Sequence, residues 1–224
     1  DADIVISLTH FKAHEGTGFG GALKNLGMGC GSRLGKKDMH ASEKPAVDQS
    51  RCVGCGVCAK NCAHGAITVT EHARIDATKC AGCGRCIEKC PQKCVHPMDD
   101  RANEILSRKV AEYTAAVVRG RPCFHIALAC DISPYCDCYA LNDAPILEDI
   151  GMFASFDPVA MDQCCVDMAN ARKPLRNSLL YKREKPGAAD HFTALFPETN
   201  WQAGLEQGEK LGIGTREYEM EEMA

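Results

Sequence analysis

Sixteen cysteines stand in this sequence of 224 residues, and eight of them fall into two runs with one spacing. Cys52, Cys55, Cys58 and Cys62 form the first run, and Cys80, Cys83, Cys86 and Cys90 form the second; each reads C-x2-C-x2-C-x3-C. In such a run three thiolates hold one iron-sulfur cube and the fourth reaches across to a neighbouring cube. The expected ligand sets are therefore Cys52, Cys55, Cys58 and Cys90 for one cluster, and Cys80, Cys83, Cys86 and Cys62 for the other. Because the middle cysteine is present in both runs, each cube keeps four irons, and two [4Fe-4S] clusters are expected. Structural zinc calls for wider gaps between its CxxC pairs, and a disulfide framework has no need of the same rhythm twice.

The two runs belong to an internal repeat with an offset of 28 residues, in which Arg51 to Ile67 lies over Lys79 to Val95. Gly54 and Gly56 match Gly82 and Gly84 between the ligands, where a missing Cβ lets backbone N–H groups approach sulfur. This pattern resembles a bacterial two-cluster ferredoxin over about 45 residues. One departure is that the second run ends Cys90-Pro91, as that family does, whereas the first ends Cys62-Ala63. Residues 48–98 hold seven Lys and Arg against four Asp and Glu, which would partly offset the charge of two thiolate-ligated cubes. Cys94, Cys30, Cys123, Cys130, Cys164 and Cys165 have no ligand spacing and read as buried apolar thiols.

Around this stretch the sequence reads as a globular chain of one or two domains, with 45% apolar residues and a net charge of −4. Interspersed charges argue against a nucleic-acid or membrane-surface role, and no apolar run approaches the roughly 20 residues of a membrane span. Thiolate-rich chemistry points to a reducing compartment, the cytoplasm by default. The chain opens Asp1-Ala2-Asp3 and passes directly into Ile4-Val5-Ile6, so an N-terminal portion is expected to precede it.

The elements that must position the chemistry suggest an α/β body interrupted by an inserted α+β two-[4Fe-4S] ferredoxin-like domain, with 1–47 and 99–224 as body and 48–98 as insert. Residues 4–8 read as a short buried strand, leading through a glycine-rich loop (Gly16, Gly18, Gly20, Gly21) into a helix from Ala22 to about Met28. Lys12, Lys24, Arg33, Lys36 and Lys37 could form an anion site with that helix, or simply a solvated basic face. Residues 41–50 read as a linker. Arg101 to Arg119 is a helix with Ile105, Leu106, Val110, Tyr113 and Val117 as its core stripe, and Phe124 to Ala129 is a buried strand. Gly151 to Phe156 is another strand, ending at Asp157-Pro158, where Asp caps a helix running to about Asn170. Asp190 caps a short helix through Phe196, and Thr199 with Gln202 forms a capping box.

His10, Lys12 and His14, the Cys136-Asp137-Cys138 triplet, and Asp157 each follow the carboxyl end of an expected strand. That edge is where open α/β sheets bind ligands. If the strands are parallel and adjacent, these residues surround one crevice suited to a redox step on a small-molecule substrate, or to a further metal or small ligand in the body. Helix capping by Asp157 and backbone hydrogen bonding by the two histidines are the plainer alternatives.

The segments Ser7 to His14, Gly20 to Gly29, Cys136-Asp137-Cys138, Asp149-Ile150-Gly151 and Asp157 to Asp162 resemble the family built on the domain of unknown function numbered three-six-two, whose members often carry a two-cluster ferredoxin insert. The resemblance continues through Trp201 and Gly212-Ile213-Gly214 to Tyr218. It implies an iron-sulfur oxidoreductase in broad terms and supplies no reaction. The leading expectation is a redox protein whose clusters relay single electrons, in exchange with a redox partner protein, to or from a site in the body. The alternatives are a non-catalytic electron-carrier subunit and a redox-sensing metal- or ligand-binding protein.

Overall fold

In a computed structural model, the 28-residue repeat of the sequence is also a repeat of structure. The structure describes residues 2–40, 44–98, 101–139, 142–185 and 187–223. In chain order it begins β1 (Val5–His10), β2 (Lys12–His14), β3 (Gly18–Gly20), α1 (Ala22–Gly29) and α2 (Arg33–Met39). There follow β4 (Pro45–Val47), α3 (Val57–Lys60), β5 (Ile67–Val69), β6 (Ala73–Ile75), α4 (Arg85–Glu88) and β7 (Val95–Pro97). The chain closes with α5 (Ala102–Val118), β8 (Cys123–Ala129), β9 (Gly151–Ser155), α6 (Pro158–Asn170), α7 (Leu179–Arg183), α8 (His191–Leu195) and α9 (Gln202–Lys210).

The chain divides into two compact units, Asp1–Gly31 with Ser107–Ala224, and Ser32–Leu106. The expected insert, 48–98, lies inside the second. In that unit each repeat is strand, cysteine run, helical turn, strand: β4-α3-β5 is followed 28 residues on by β6-α4-β7. The halves interlock, because β4 pairs antiparallel with β7 and β5 with β6. The polar passage 44–50, expected as linker, therefore contains a paired strand, while 41–43 lie outside the described residues. Gly54 and Gly82 occupy equivalent places at φ +65° and +75°, and a Cβ there would come within 2.4 Å of the Glu71 carbonyl and 2.2 Å of the His40 carbonyl.

The body is built on a three-stranded sheet in which β1 runs parallel to β8 and β9 runs antiparallel to it. β1 is not the fully buried strand its sequence suggests. Ser7 and Thr9 face inward, while Ile6 and Leu8 are 70% and 64% exposed. The inward polar groups are satisfied: Ser7 Oγ lies 2.8 Å from His125 Nδ1, and the Asn25 amide donates to Thr9 Oγ1. In β8, His125, Ala127 and Ala129 are buried, whereas Phe124, Ile126 and Leu128 are half-buried. The glycine-rich passage forms a hairpin, β2 against β3, instead of an open loop. Phe11, Phe19, Phe192 and Trp201 clamp that hairpin with ring centroids 5.4–5.8 Å apart.

Helix α5 presents Ser107, Val110, Ala111, Thr114 and Val118 as its buried stripe in the body, leaving Tyr113 and Val117 half-buried. The small residues are needed because α1 approaches closely. A Cβ on Gly27 would sit 2.2 Å from the Val110 carbonyl, and Thr114 Oγ1 donates to Leu23 O at 2.7 Å. The expected capping box at Thr199 does not form, since Thr199 Oγ1 donates to Phe196 O and Asn200 Oδ1 accepts from Ala203 N.

Helix α1 starts at Gly21, which has no side chain to cap it. Asp162 of α6, fully buried, accepts from Ala22 N at 2.6 Å and Leu23 N at 3.0 Å instead. Burial pushes its carboxyl up to about 7 against those two N–H groups. Asp162→Ala would orphan both donors and is expected to cost about 1–3 kcal/mol. Gly21→Ala, whose Cβ would meet Asp162 Oδ1 at 2.2 Å, is expected to destabilise similarly. With a native pKa above the unfolded value of about 3.9, this carboxyl's contribution to stability is complete below pH 4 and is lost as pH rises through 7. Asp162→Asn cannot titrate and is expected to flatten that loss. Urea midpoints read by Trp201, the one tryptophan and part of the same unit, check all three variants.

Candidate functional site

Two sulfur sites emerge, one in each unit. In the second unit, Cys52, Cys58, Cys86, Cys90 and Cys94 are buried in one core with Ile67, Ala73 and Val95. A cavity there is lined by Cys52, Cys55 and Cys58 of the first run together with Cys90 of the second. Its wall is completed by Val53, Gly54, Gly56, Ala73, Pro91, Gln92, Cys94 and Val95. The helical turns that follow are started by Gly56 and Gly84, both left-handed, which turn the chain between the second and third cysteine of each run.

Backbone amides are aimed at sulfur in both repeats. Cys52 Sγ accepts from Ala73 N at 3.3 Å, Cys62 Sγ from Ala66 N at 3.3 Å, and Cys80 Sγ from Gly82 N at 3.4 Å. The Ala73 and Gly54 amides lower the Cys52 pKa. Burial raises Cys58, and burial with the neighbouring Cys80 and Cys83 sulfurs pushes Cys86 up to about 11. Apolar thiols crowded round a cavity, with amides ready to stabilise anionic sulfur, are a donor set that a cationic cluster would relieve. Cys94 is also buried, with its Sγ 3.5 Å from Cys90 Sγ.

In the body, the parallel pairing of β1 with β8 puts His10 opposite Leu128, so both strands deliver their next residues to one edge. The Ala13 N–H donates to Ser133 O and ties β2 to the loop after β8. Asp137 then meets two side chains: His10 Nδ1 lies 3.0 Å from its carboxylate, and the Lys12 ammonium stands 3.0 Å from Oδ2. His10 Nε2 donates to Cys130 O at 2.9 Å. Each His10 ring nitrogen thus faces an oxygen acceptor, so the ring is engaged within the site on both sides.

One turn away, Lys24 of α1 donates to Cys136 Sγ at 3.1 Å and lies 3.9 Å from Cys138 Sγ. His14 joins them, with one ring nitrogen and the two sulfurs within 4.8 Å of one another. Its Nδ1 accepts from Gly16 N and Thr17 N at 3.0 and 3.1 Å. Cys136 is buried and Cys138 exposed. The hydrogen bond from Cys138, followed by the Lys24 charge, brings Cys136 down to about 5 despite its burial, while the same bond and burial push Cys138 up. The Lys24 ammonium, nearer to Cys136 than to Cys138, favours the thiolate at Cys136.

His10, Lys12, His14, Cys136, Asp137 and Cys138 are gathered at one edge as the strand-end argument predicts, but Asp157 is not with them. Since β9 is antiparallel, with Ser155 opposite His125, its carboxyl end lies at the other edge of the sheet. There Asp157 Oδ1 caps α6 through Val159 N and Ala160 N, and Oδ2 accepts from Thr215 N. Of the basic residues considered with them, Lys12 and Lys24 meet Asp137 and Cys136, and Arg33, Lys36 and Lys37 belong to α2 of the other unit. Cys30 is exposed, and Cys123 and Cys130 are half-buried, unlike Cys94, Cys164 and Cys165. Sequence reasoning did not assign Lys24 to the cysteines, and only its spacing into the first turn of a helix beside β1 hinted at it.

A family model described as a domain of unknown function (DUF362) matches residues 1–167, a stretch containing both sulfur sites. No curated protein matches the chain.

Burial opposes charge on Asp137, but hydrogen bonds from His10 and Lys12 outweigh it and hold the carboxyl below the usual range. A depressed carboxyl stabilises only while ionised. Asp137→Asn is therefore expected to lose up to about 1 kcal/mol above pH 4, with the difference fading as pH falls through the lowered native value. Trp201-detected urea unfolding at pH 7 and pH 3 measures it.

Proposed function

The chain belongs to the DUF362 family, and on that premise we propose that it is an iron-sulfur oxidoreductase. In this reading residues 48–98 are a ferredoxin-like insert with two [4Fe-4S] clusters, relaying single electrons to or from the site in the α/β body. The observation that supports it most directly is the cavity where Cys52, Cys55 and Cys58 meet Cys90, the cysteine that the run pattern assigns from the other repeat. Cys80, Cys83, Cys86 and Cys62 would hold the second cluster. When bound, such clusters supply one-electron transfer at a potential set by their surroundings.

The chain's own part is to bind, shield and tune. Cys52, Cys58, Cys86 and Cys90 are buried, which keeps water from the sulfurs. The Ala73, Ala66 and Gly82 amides that reach Cys52, Cys62 and Cys80 favour the more negative state of whatever those thiolates hold. Zinc is the weaker reading. One tetrahedral zinc draws its thiolates to about 4 Å from one another, whereas among the described residues only His14, Cys136 and Cys138 bring three donors within 4.8 Å. A redox partner protein, a small-molecule substrate at the body site and a reducing compartment follow from the same reading. Among the described residues, no helix is long and apolar enough to cross a membrane.

Anaerobic metal and sulfide analysis, with electron paramagnetic resonance of the reduced protein, tests this. About eight irons and eight sulfides per chain are expected. Cys90→Ser should perturb the signal of the cluster on Cys52, Cys55 and Cys58 and spare the other, and Cys62→Ser should do the reverse. Stoichiometric zinc in place of iron would overturn the proposal.

A further inference from the structure

The body's sulfur site consists of two thiols and two nitrogen groups, and the nitrogens decide what it can hold. Three donors within 4.8 Å is a spacing a soft divalent ion could use. Two observations weigh against an ion. His14 Nδ1 already accepts from Gly16 N and Thr17 N, so the neutral ring carries its proton on Nε2 and has no free lone pair. Lys24 Nζ, 3.1 Å from Cys136 Sγ, puts an ammonium beside the sulfur that would have to bind the cation. Both groups instead suit an anionic sulfur.

We propose that Cys136 and Cys138 are a redox-active dithiol–disulfide pair, the two-electron acceptor of the body, with Lys24 as the positioning residue for the thiolate of the reduced form. The electron source rests on the iron-sulfur reading above; the thiol chemistry does not. In the oxidised form the two sulfurs are joined. Two electrons, which the proposed clusters would supply one at a time, break that S–S bond, one proton goes to Cys138, and Cys136 is left as thiolate beside Lys24. Disulfide, two electrons and one proton thus become one thiolate and one thiol, and a one-electron donor at each cluster site would end oxidised. The charged and titratable groups facing the pair are Lys24 from α1, His14 from β2 and Glu15 just after it, which opposes charge on Cys138 and so helps keep the proton there. Exposure of Cys138 gives the pair an outlet for thiol–disulfide exchange.

The cluster-loaded chain, kept anaerobic, is equilibrated in glutathione redox buffers and trapped with iodoacetamide, and labels on the peptide bearing Cys136 and Cys138 are counted by mass spectrometry. The expected result is that two labels disappear together as the buffer becomes oxidising. Lys24→Met, which destabilises the reduced form, should move the midpoint ratio about tenfold toward the reducing end, equivalent to one pKa unit, and Lys24→Arg should restore it. Two labels retained at every ratio, or one equivalent of zinc bound in wild type and lost in Cys136→Ser, overturns the proposal. In a second arm, the disulfide form receives a limiting photochemical reductant while the reduced-cluster resonance is followed. The resonance should be transient in wild type, as two labels return, and persistent in Cys136→Ser. A persistent wild-type resonance over an intact disulfide also overturns the proposal. A chain without iron would sink the iron-sulfur reading alone, because the glutathione titration still judges the pair.

Discussion

Helix α1 begins inside the body, where its first N–H groups have no water to meet, and everything at the body's sulfur site depends on how that problem is solved. Asp162 reaches from α6 to accept from Ala22 and Leu23. A carboxylate is a strong acceptor for a helix N-terminus, but burying it is costly enough to raise its pKa to about 7. The arrangement fixes α1 against α6 at its start, while Gly27 and Thr114 fix it against α5 further along. Lys24 lies between these two anchors, so its ammonium is delivered to Cys136 by backbone constraints and not by the sulfur alone.

The two sulfur sites solve the same electrostatic difficulty with different means. A thiolate out of water needs positive partners. Around the two cysteine runs these are backbone amides, which carry partial charge and cost no side-chain entropy to place. Around Cys136 the partner is a full ammonium and a neighbouring thiol proton. Amides leave room for a cation among the sulfurs, whereas Lys24 occupies that role itself. This difference underlies the proposed division between a donor set for a cluster and one for covalent sulfur chemistry.

Much of this was legible in the sequence because it is local. The cysteine rhythm, the Asp157-Pro158 cap, the Asp190 cap and the long α5 helix each depend on residues within a turn or two, and the structure places Asp157 and Asp190 as N-caps of α6 and α8. The failures are non-local. Nothing in Gly151 to Ser155 says which way it will pair, and its antiparallel direction alone removes Asp157 from the His10 edge. The glycine-rich passage looks like a loop because glycine has low strand propensity, yet tertiary packing of Phe19 on Phe11, Phe192 and Trp201 holds it as a hairpin. The core stripe of α5 was read from its largest apolar residues. Leu106 and Val110 of that stripe are buried, but close approach of α1 adds small residues, Ala111 and Thr114, and leaves Ile105, Tyr113 and Val117 half-buried.

The sheet shows the same tension between pattern and context in its inner face. Residues 4–8 read as a buried strand, and a strand forms at Val5–His10, but the apolar set Ile6 and Leu8 faces outward and the polar set Ser7 and Thr9 faces the helices. Buried polar groups call for partners, and His125 and Asn25 supply them to Ser7 and Thr9 from β8 and α1, while the buried Nε2 of His125 itself meets none among the described residues. Those bonds are directional where apolar contact would not be. They pin β1 to β8 in register and α1 to β1, so His10 arrives opposite Leu128 and Lys24 arrives over the loop that carries Cys136. The polar inward face gives up some hydrophobic burial, and what the body gains is a fixed relation between the strand ends and the helix that together assemble its chemistry.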